Sequence, residues 1–418
     1  MALGREAIGI CQSDAPQVLI VRDTRESGEM LESALAAGVA SAGGHALLGG
    51  VLPTPGASVL ASRLGFDLAA VVSASHNPYT DNGIKFFGAD GIKLSDADEL
   101  RIERAVENNG STVYDTHRSV GRVRPFNGAQ NDYLRALEQR YQGLDLSGMR
   151  VLLDCANGAT SRVAPDIFRR LNASVETVAS DANGRNINEK CGSTHIEMLA
   201  GEVAAADCDA GFAFDGDGDR VLAVDRHGEV VDGDELIALA AHHLEHEGLL
   251  TDHGVAVTVM TNYGFHQAMQ QLGVNVATTP VGDRHVLSEL LRRGWTLGGE
   301  QSGHIINTSF VPGGDGIASA LLTLEALRGR DLSDRDAMQK LPQLLLNIEV
   351  ADRDALDSAS TLWGEVQNES DALAGRGRVL VRSSGTEPLV RVMVEAPEFS
   401  ECEAVANRLA EVVKRDLG

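Results

Sequence analysis

Apolar and polar positions along the chain repeat one pattern three times. Gln17–Asp23 (QVLIVRD) reads as a buried strand, followed by an amphipathic stretch near Gly28–Ala42 and a short apolar run at His45–Leu48. Arg150–Asp154 (RVLLD) opens a second copy, with a helical period near Ser161–Leu171 and a strand at Ser174–Val178. Val255–Met260 (VAVTVM) opens a third, with a helix near Phe265–Leu272 and a strand at Val274–Thr278. Strand, polar loop, helix, strand is the βαβ signature of α/β domains. The spacing, roughly 105–130 residues, predicts three similar domains and excludes a short-period solenoid. The last segment differs. Arg378–Arg382 and Leu389–Ala396 read as strands and Glu401–Lys414 as a helix, which predicts a smaller α+β domain. Linkers are expected near Gly121–Phe126, Val230–Gly233 and Lys340–Gln343, with a solvated helix or loop over Asp331–Lys340.

Each copy also has a later strand running into a polar loop. Leu68–Val72 leads into SASHNPYTDNG, Ala210–Phe214 into DGDGDR, and Trp295–Leu297 into GGEQSGH. The carboxyl ends of strands are where open α/β sheets hold ligands.

Composition narrows the partners. Of 418 residues, 60 are acidic and 36 basic, a formal charge of −24. That charge repels nucleic acid and anionic membranes, so neither is expected as a partner. No apolar run is long enough to span a bilayer. The opening MALGREAIGI lacks the charged and apolar regions of a signal peptide. The 5 cysteines are an odd number without a C-x-x-C pair, which predicts free thiols in a reducing cytoplasm. Glycine is in excess, at 45 residues without a collagen-like period, which predicts many tight loops.

Ser73-Ala74-Ser75-His76-Asn77-Pro78 places a serine after a buried strand in a turn that Pro78 keeps from becoming helical; it is a nucleophile or an ordinary serine turn. Lys85, inside an apolar run, either snorkels or sits in a pocket with a shifted pKa. Asp215, Asp217 and Asp219 alternate with Gly216 and Gly218, so three carboxylates can converge on one hard cation. Arg226, where an EF-hand needs Glu, excludes that loop; a phosphatase-type D-x-D nucleophile competes, with Asp215 attacking. Glu300, Ser302 and His304 in a glycine-bracketed loop can bond adjacent sugar hydroxyls, with Val281-Gly282-Asp283-Arg284 a further polar turn nearby. Arg382, Ser383, Ser384, Gly385, Thr386 and Arg391 form a phosphate cradle or a surface turn. Nucleophile, cation site, hydroxyl readers and cradle together are the parts for phosphoryl transfer on a sugar phosphate.

These four loops, in this order and spacing, resemble the signature loops of the α-D-phosphohexomutases across essentially the whole chain. GEQSGH, DNGIKFF and DTRESGEMLESAL (Asp23–Leu35) resemble the branch acting on glucosamine phosphates; the phosphomannomutase/phosphoglucomutase branch has Met where Gln301 stands. The resemblance implies three α/β domains and a C-terminal TBP-like α+β domain around a central cleft. Their expected ranges are 1–123 with the phosphoserine loop, 124–229 with the metal loop, 230–340 with the sugar loop and 343–418 with the phosphate cradle. It implies interconversion of glucosamine 6-phosphate and glucosamine 1-phosphate through a bisphosphorylated sugar, toward UDP-N-acetylglucosamine. Ser75 would carry the phosphoryl group. One Mg²⁺ would be bound by that phosphoserine with Asp215, Asp217 and Asp219. Lys85 and His304 match positions given proton-transfer or phosphate-contact roles. Gly282, Asp283, Arg284, Glu300 and Ser302 would meet the sugar, and Arg382, Ser384, Gly385, Thr386 and Arg391 the non-reacting phosphate. A homodimer is compatible with the family.

Two departures are visible. Family members open with a strand carrying G-T-D-G-I-R-G, and nothing here matches it; Met1–Gly9 reads as the helix that follows, so the first sheet is expected to lack that strand. Ser383 stands where the family has Pro. The competing readings are a phosphomannomutase/phosphoglucomutase, and a catalytically weak phosphosugar-binding protein.

Overall fold

The computed structural model describes residues 1–107, 119–384 and 387–418. They form four sheets. The first has the order β4-β3-β1-β2-β5, from β1 (Gln17–Arg22), β2 (His45–Val51), β3 (Leu68–Val72), β4 (Ile84–Gly88) and β5 (Val123–Pro125). β1 runs parallel to β2 and β3, while β4 turns back against β3 with Val71 opposite Lys85. The helix Gly28–Ser41 buries Leu35, Ala36 and Val39 on the β1 face that carries Val18 and Ile20. That is the spacing of an amphipathic stripe meeting alternate strand positions.

The second sheet repeats the plan as β10-β9-β8-β6-β7, from β6 (Arg150–Asp154), β7 (Ser174–Val178), β8 (Ala210–Phe214), β9 (Val221–Asp225) and β10 (Val230–Val231). β6 is parallel to β7 and β8, and β9 returns antiparallel to β8. The third has the order β12-β11-β13-β14, from β11 (Gly254–Thr258), β12 (Asn275–Thr279), β13 (Leu297–Gly299) and β14 (Ile305–Asn307). In all three, the strand that enters a site loop is followed by an antiparallel return, so the loop joins two neighbouring strands. The fourth sheet is antiparallel throughout, order β15-β17-β16, from β15 (Gln343–Glu349), β16 (Arg378–Ser383) and β17 (Leu389–Glu395).

The stretches expected as linkers at Gly121–Phe126 and Val230–Gly233 contain β5 and β10, which pair into the first and second sheets. Two- and three-residue edge strands carry too little periodicity to separate from loop. The helix Gly233–His246, which the hydrophobic pattern did not single out, has a sequence signal in Asp232 and Glu235. Asp232 accepts from the Asp234 and Glu235 N–H groups, and the Glu235 side chain accepts from the Asp232 N–H, a complete capping box. Asp331–Lys340 holds one short 3₁₀ turn, Leu332–Asp334.

The chain divides into two units: Met1–Val259 with Ala277–Arg335, and Met260–Val276 with Asp336–Gly418. In the second, the helix Phe399–Leu417 covers the fourth sheet with Val405, Leu409 and Val413 against Val390, Val392 and Val394. Its 260–276 segment is tied to that sheet by Tyr263 N–H donating to Glu395 Oε2 at 2.9 Å. Among the described residues no helix is long and apolar enough to cross a membrane, and all five cysteines are free thiols.

Candidate active site

In the first unit the site collects at the carboxyl ends of β3, β8 and β13. After β3, Ser75 adopts left-handed backbone, φ +51. A non-glycine residue holds that conformation only when its surroundings enforce it. Its N–H donates to Ser73 Oγ at 3.0 Å, and Ser73 Oγ donates to buried Asp23 at 2.6 Å. The turn aims Ser75 Oγ at Asp215 Oδ2, 2.6 Å away. This places the Ser73 hydroxyl inside the loop's own hydrogen bonding and leaves Ser75 as the outward hydroxyl.

Asp215, Asp217 and Asp219 are buried, and one carboxylate oxygen from each lies within 4.8 Å of the others. Gly216 permits this. A Cβ there would stand 2.6 Å from the Ser75 carbonyl oxygen, so only glycine lets the aspartate loop meet the serine loop. Thr54 Oγ1 donates to Asp217 Oδ2 at 2.6 Å, a partner with no local signal along the chain. Lys85 is held in the site and does not snorkel: its Nζ is 2.7 Å from Asp217 Oδ2 and 3.6 Å from Asp219 Oδ2.

The charges settle unequally. Burial, and then the Asp219 and Asp217 carboxylates, push Asp215 well above the ordinary carboxylate range. At Asp219 burial is overridden by Lys85 and then His304, so it is held below that range. At Lys85 burial is overridden by Asp217 and Asp219, so the ammonium is held charged. His304 is buried and accepts at Nε2 from the Gly314 N–H at 3.1 Å. Its proton therefore sits on Nδ1, 3.8 Å from Asp219 Oδ1.

Asp217 Oδ1 and Asp219 Oδ1 are buried without a hydrogen-bond partner. Orphaned carboxylate oxygens are costly unless a cation meets them. Three converging carboxylates, two of which also carry an orphaned oxygen, fit a small divalent cation such as Mg²⁺. This is the one cluster of three potential metal-ligating residues among the described residues.

The two polar turns of the third sheet come together. Glu300 Oε1 accepts from the Gly282 N–H at 2.9 Å, next to Asp283 and Arg284. Ser302 is exposed and has no such tie. Gln301 donates to Asp232 Oδ2 at 3.2 Å, anchoring the loop to the capped helix. Arg284 pairs with Asp96 and Glu99, so its charge is already met. A cavity of about 70 Å³ lies beside these groups, with Lys85, Lys93, Asp219, Asp283, Arg284 and His304 among its walls.

In the second unit Arg382 and Arg391 stand directly opposite on β16 and β17. Burial, then the Arg391 charge, lowers the Arg382 pKa. Like charges opposite one another repel, and an anion between them relieves the repulsion. Buried Ser384 accepts from Arg391 Nη2 at 3.5 Å, while Arg391 Nε is buried without a partner. Gly385 and Thr386 lie outside the described residues.

Sequence reasoning missed three residues that hold the serine loop: Asp23, Arg25 and Asn188. Arg25 is 1% exposed, yet donates to the carbonyls of Ser75, Asn77, Pro78 and Asp81 and to Asp23. A buried strand ending in Asp-x-Arg was its only signal.

Comparison with known proteins matches this architecture. Sequence models of phosphoglucomutase/phosphomannomutase α/β/α domains I, II and III match residues 2–113, 131–228 and 232–345, and the C-terminal domain model matches 345–412. The chain is 47% identical to a phosphoglucosamine mutase of Moorella thermoacetica, over 98% of this chain and 94% of the relative. It is 42% identical to one of Shouchella clausii, over 100% and 94%. Among solved structures, a phosphoglucomutase/phosphomannomutase family protein of Burkholderia thailandensis superposes with a TM-score of 0.83 at 22% identity, covering 99% of this chain and 92% of that one. An N-acetylphosphoglucosamine mutase of Aspergillus fumigatus, solved with GlcNAc-6P and magnesium, gives 0.64 at 19%, over 87% and 93%. The chain belongs to the phosphoglucomutase/phosphomannomutase family of isomerases, alongside relatives that are phosphoglucosamine mutases.

Proposed function

We propose that the protein interconverts glucosamine 6-phosphate and glucosamine 1-phosphate, using Ser75 as the phosphoryl carrier. The observation that carries this reading is Ser75 Oγ, 2.6 Å from a buried aspartate whose two neighbours have orphaned oxygens. Phosphorylated Ser75 gives its phosphoryl group to the free hydroxyl of the sugar phosphate: the Ser75 Oγ–P bond breaks, a sugar O–P bond forms, and the hydroxyl's proton ends on the freed Ser75 Oγ, which donates to Asp215. The sugar bisphosphate then returns its other phosphoryl group to Ser75 Oγ after reversing end for end. Asp215, Asp217 and Asp219 would hold Mg²⁺, which when bound offsets the charge developing on the transferring phosphoryl group. Lys85, kept charged by Asp217 and Asp219, supplies fixed positive charge at the same place and is read as a phosphate contact. His304 is read as steering Asp219, since Gly314 occupies its other nitrogen.

Glu300 and Ser302, with Gly282, Asp283 and Arg284, are assigned to the sugar. Arg382, Ser384 and Arg391 are assigned to the non-reacting phosphate, together with Gly385 and Thr386. The division into domains ending near 123, 229 and 340 is part of this proposal, as are a cytoplasmic location and a homodimer.

The substrate is tested by kcat/KM on glucosamine 6-phosphate, glucose 6-phosphate and mannose 6-phosphate, with Mg²⁺ and a sugar bisphosphate primer. Glucosamine 6-phosphate is expected to lead by at least about tenfold, the discrimination available to a site that bonds the distinguishing group. Preference for glucose or mannose phosphate replaces this reading with the phosphoglucomutase/phosphomannomutase one. Binding without turnover of any of the three leaves a phosphosugar-binding protein.

A further inference from the structure

The serine loop is held by more hydrogen bonds than its backbone alone needs, and they converge on one residue. On the amino side, the Ser75 N–H bonds Ser73 Oγ, which is fixed by Asp23, which is fixed by Arg25 Nε at 2.8 Å. On the carboxyl side, the Ser75 carbonyl accepts from Arg25 Nη2 and from Asn188 Nδ2, both at 2.9 Å. The Asn77 carbonyl accepts from the same two groups, at 2.9 and 3.0 Å. Arg25 follows β1, whereas Asn188 belongs to the 186–192 turn beside the second sheet, itself held by Asn188 N–H on the Ala156 carbonyl at 2.9 Å. Two independent parts of the fold thus grip the same two carbonyls.

The geometric consequence is specific. Fixing the peptide plane before a residue restricts its φ, and fixing the plane after it restricts its ψ. With both fixed, Ser75 keeps its left-handed backbone at φ +51, and only χ1 remains to place Oγ. The loop has no room to relax toward the aspartates, because Gly216 already sits against the Ser75 carbonyl and Asn188 Nδ2. A nucleophile that must present its oxygen to two ends of one sugar, in two successive transfers, gains directly from such fixing.

We propose that Arg25 and Asn188 are positioning residues for phosphoryl transfer, holding the Ser75 and Asn77 carbonyls so that Ser75 Oγ is aimed at the aspartate cluster. The proposal rests on Ser75 being the phosphoryl carrier. It requires that loss of the Asn188 donors slow the transfer itself and leave sugar binding alone.

Asn188→Asp is nearly isosteric. It removes the two N–H donors and sets a carboxylate oxygen against two carbonyl oxygens. kcat is expected to fall about a hundredfold, the cost of a misplaced reacting group, with KM for glucosamine 6-phosphate within about twofold. Asn188→Ala, which loses the donors and adds no charge, is expected to lose about tenfold in kcat, and it serves if the Asp variant does not fold. Both variants are loaded with phosphate from a sugar bisphosphate, and discharge to glucosamine 6-phosphate is timed in a single turnover. Slower discharge per phosphorylated molecule supports the proposal. Wild-type discharge with only a lowered melting temperature overturns it, as does a raised KM with unchanged kcat. Failure of the wild-type protein to load at Ser75 would instead remove the carrier reading beneath it.

Discussion

Ser75→Ala is expected to reduce interconversion of the two glucosamine phosphates by about 10,000-fold or more, the usual cost of removing a covalent nucleophile. The fold should be nearly unaffected. Ser75 is only partly buried, its Oγ makes its short bond to Asp215 alone, and the backbone bonds that hold the turn involve its N–H and carbonyl. Alanine pays the same cost as serine for left-handed backbone, so the substitution changes the chemistry and not the strain. Ser73, two residues earlier, cannot substitute, because its hydroxyl is buried between Asp23 and the Ser75 N–H. A steady-state assay beside a thermal melt checks both halves. A pure, folded variant turning over at the wild-type rate would remove Ser75 from the mechanism.

Removing divalent cations is expected to cost at least a hundredfold in turnover, because charge stabilisation at the transferring group is lost with them. The protein sets Lys85 and, at 4.0 Å from Asp219 Oδ1, the Arg220 guanidinium against three carboxylates, which leaves one negative charge unmet, and two of the carboxylate oxygens have no hydrogen-bond partner. Mg²⁺ should restore the rate and also raise the melting temperature. At a hundred times its dissociation constant a ligand bound only by the folded state adds about 2.7 kcal/mol. Asp217→Asn should blunt both effects. Turnover that is unchanged in chelator, with a melting temperature indifferent to Mg²⁺, would exclude a working cation site here.

Much of this architecture is legible in the residues themselves. Buried strands such as Arg150–Asp154 and Ala210–Phe214 stand where their apolar runs place them, because parallel strands covered on both faces admit little else. The aspartate loop is legible for a similar reason: three carboxylates alternating with glycine have few stable uses without a cation. What stays hidden is what depends on distant pairing. Asn188 and Thr54 reach the serine and aspartate loops from 113 and 163 residues away in sequence. Nothing local marks either residue. Lys85 has the same local pattern whether it snorkels or is held, and only Asp217, across 132 residues, decides between them. Arg284 shows the converse, a candidate cation whose charge is met by Asp96 and Glu99 on another helix.

Transfer of the phosphoryl group from Ser75 to the sugar is followed directly by a label. Protein phosphorylated with ³²P is mapped by mass spectrometry and then mixed with unlabelled glucosamine 6-phosphate. The label is expected on Ser75 at the start, and then in a sugar bisphosphate and both glucosamine phosphates, with the protein's own label falling in step. Label that stays on the protein while product forms, or that appears on Asp215 or as free phosphate alone, would contradict transfer from Ser75.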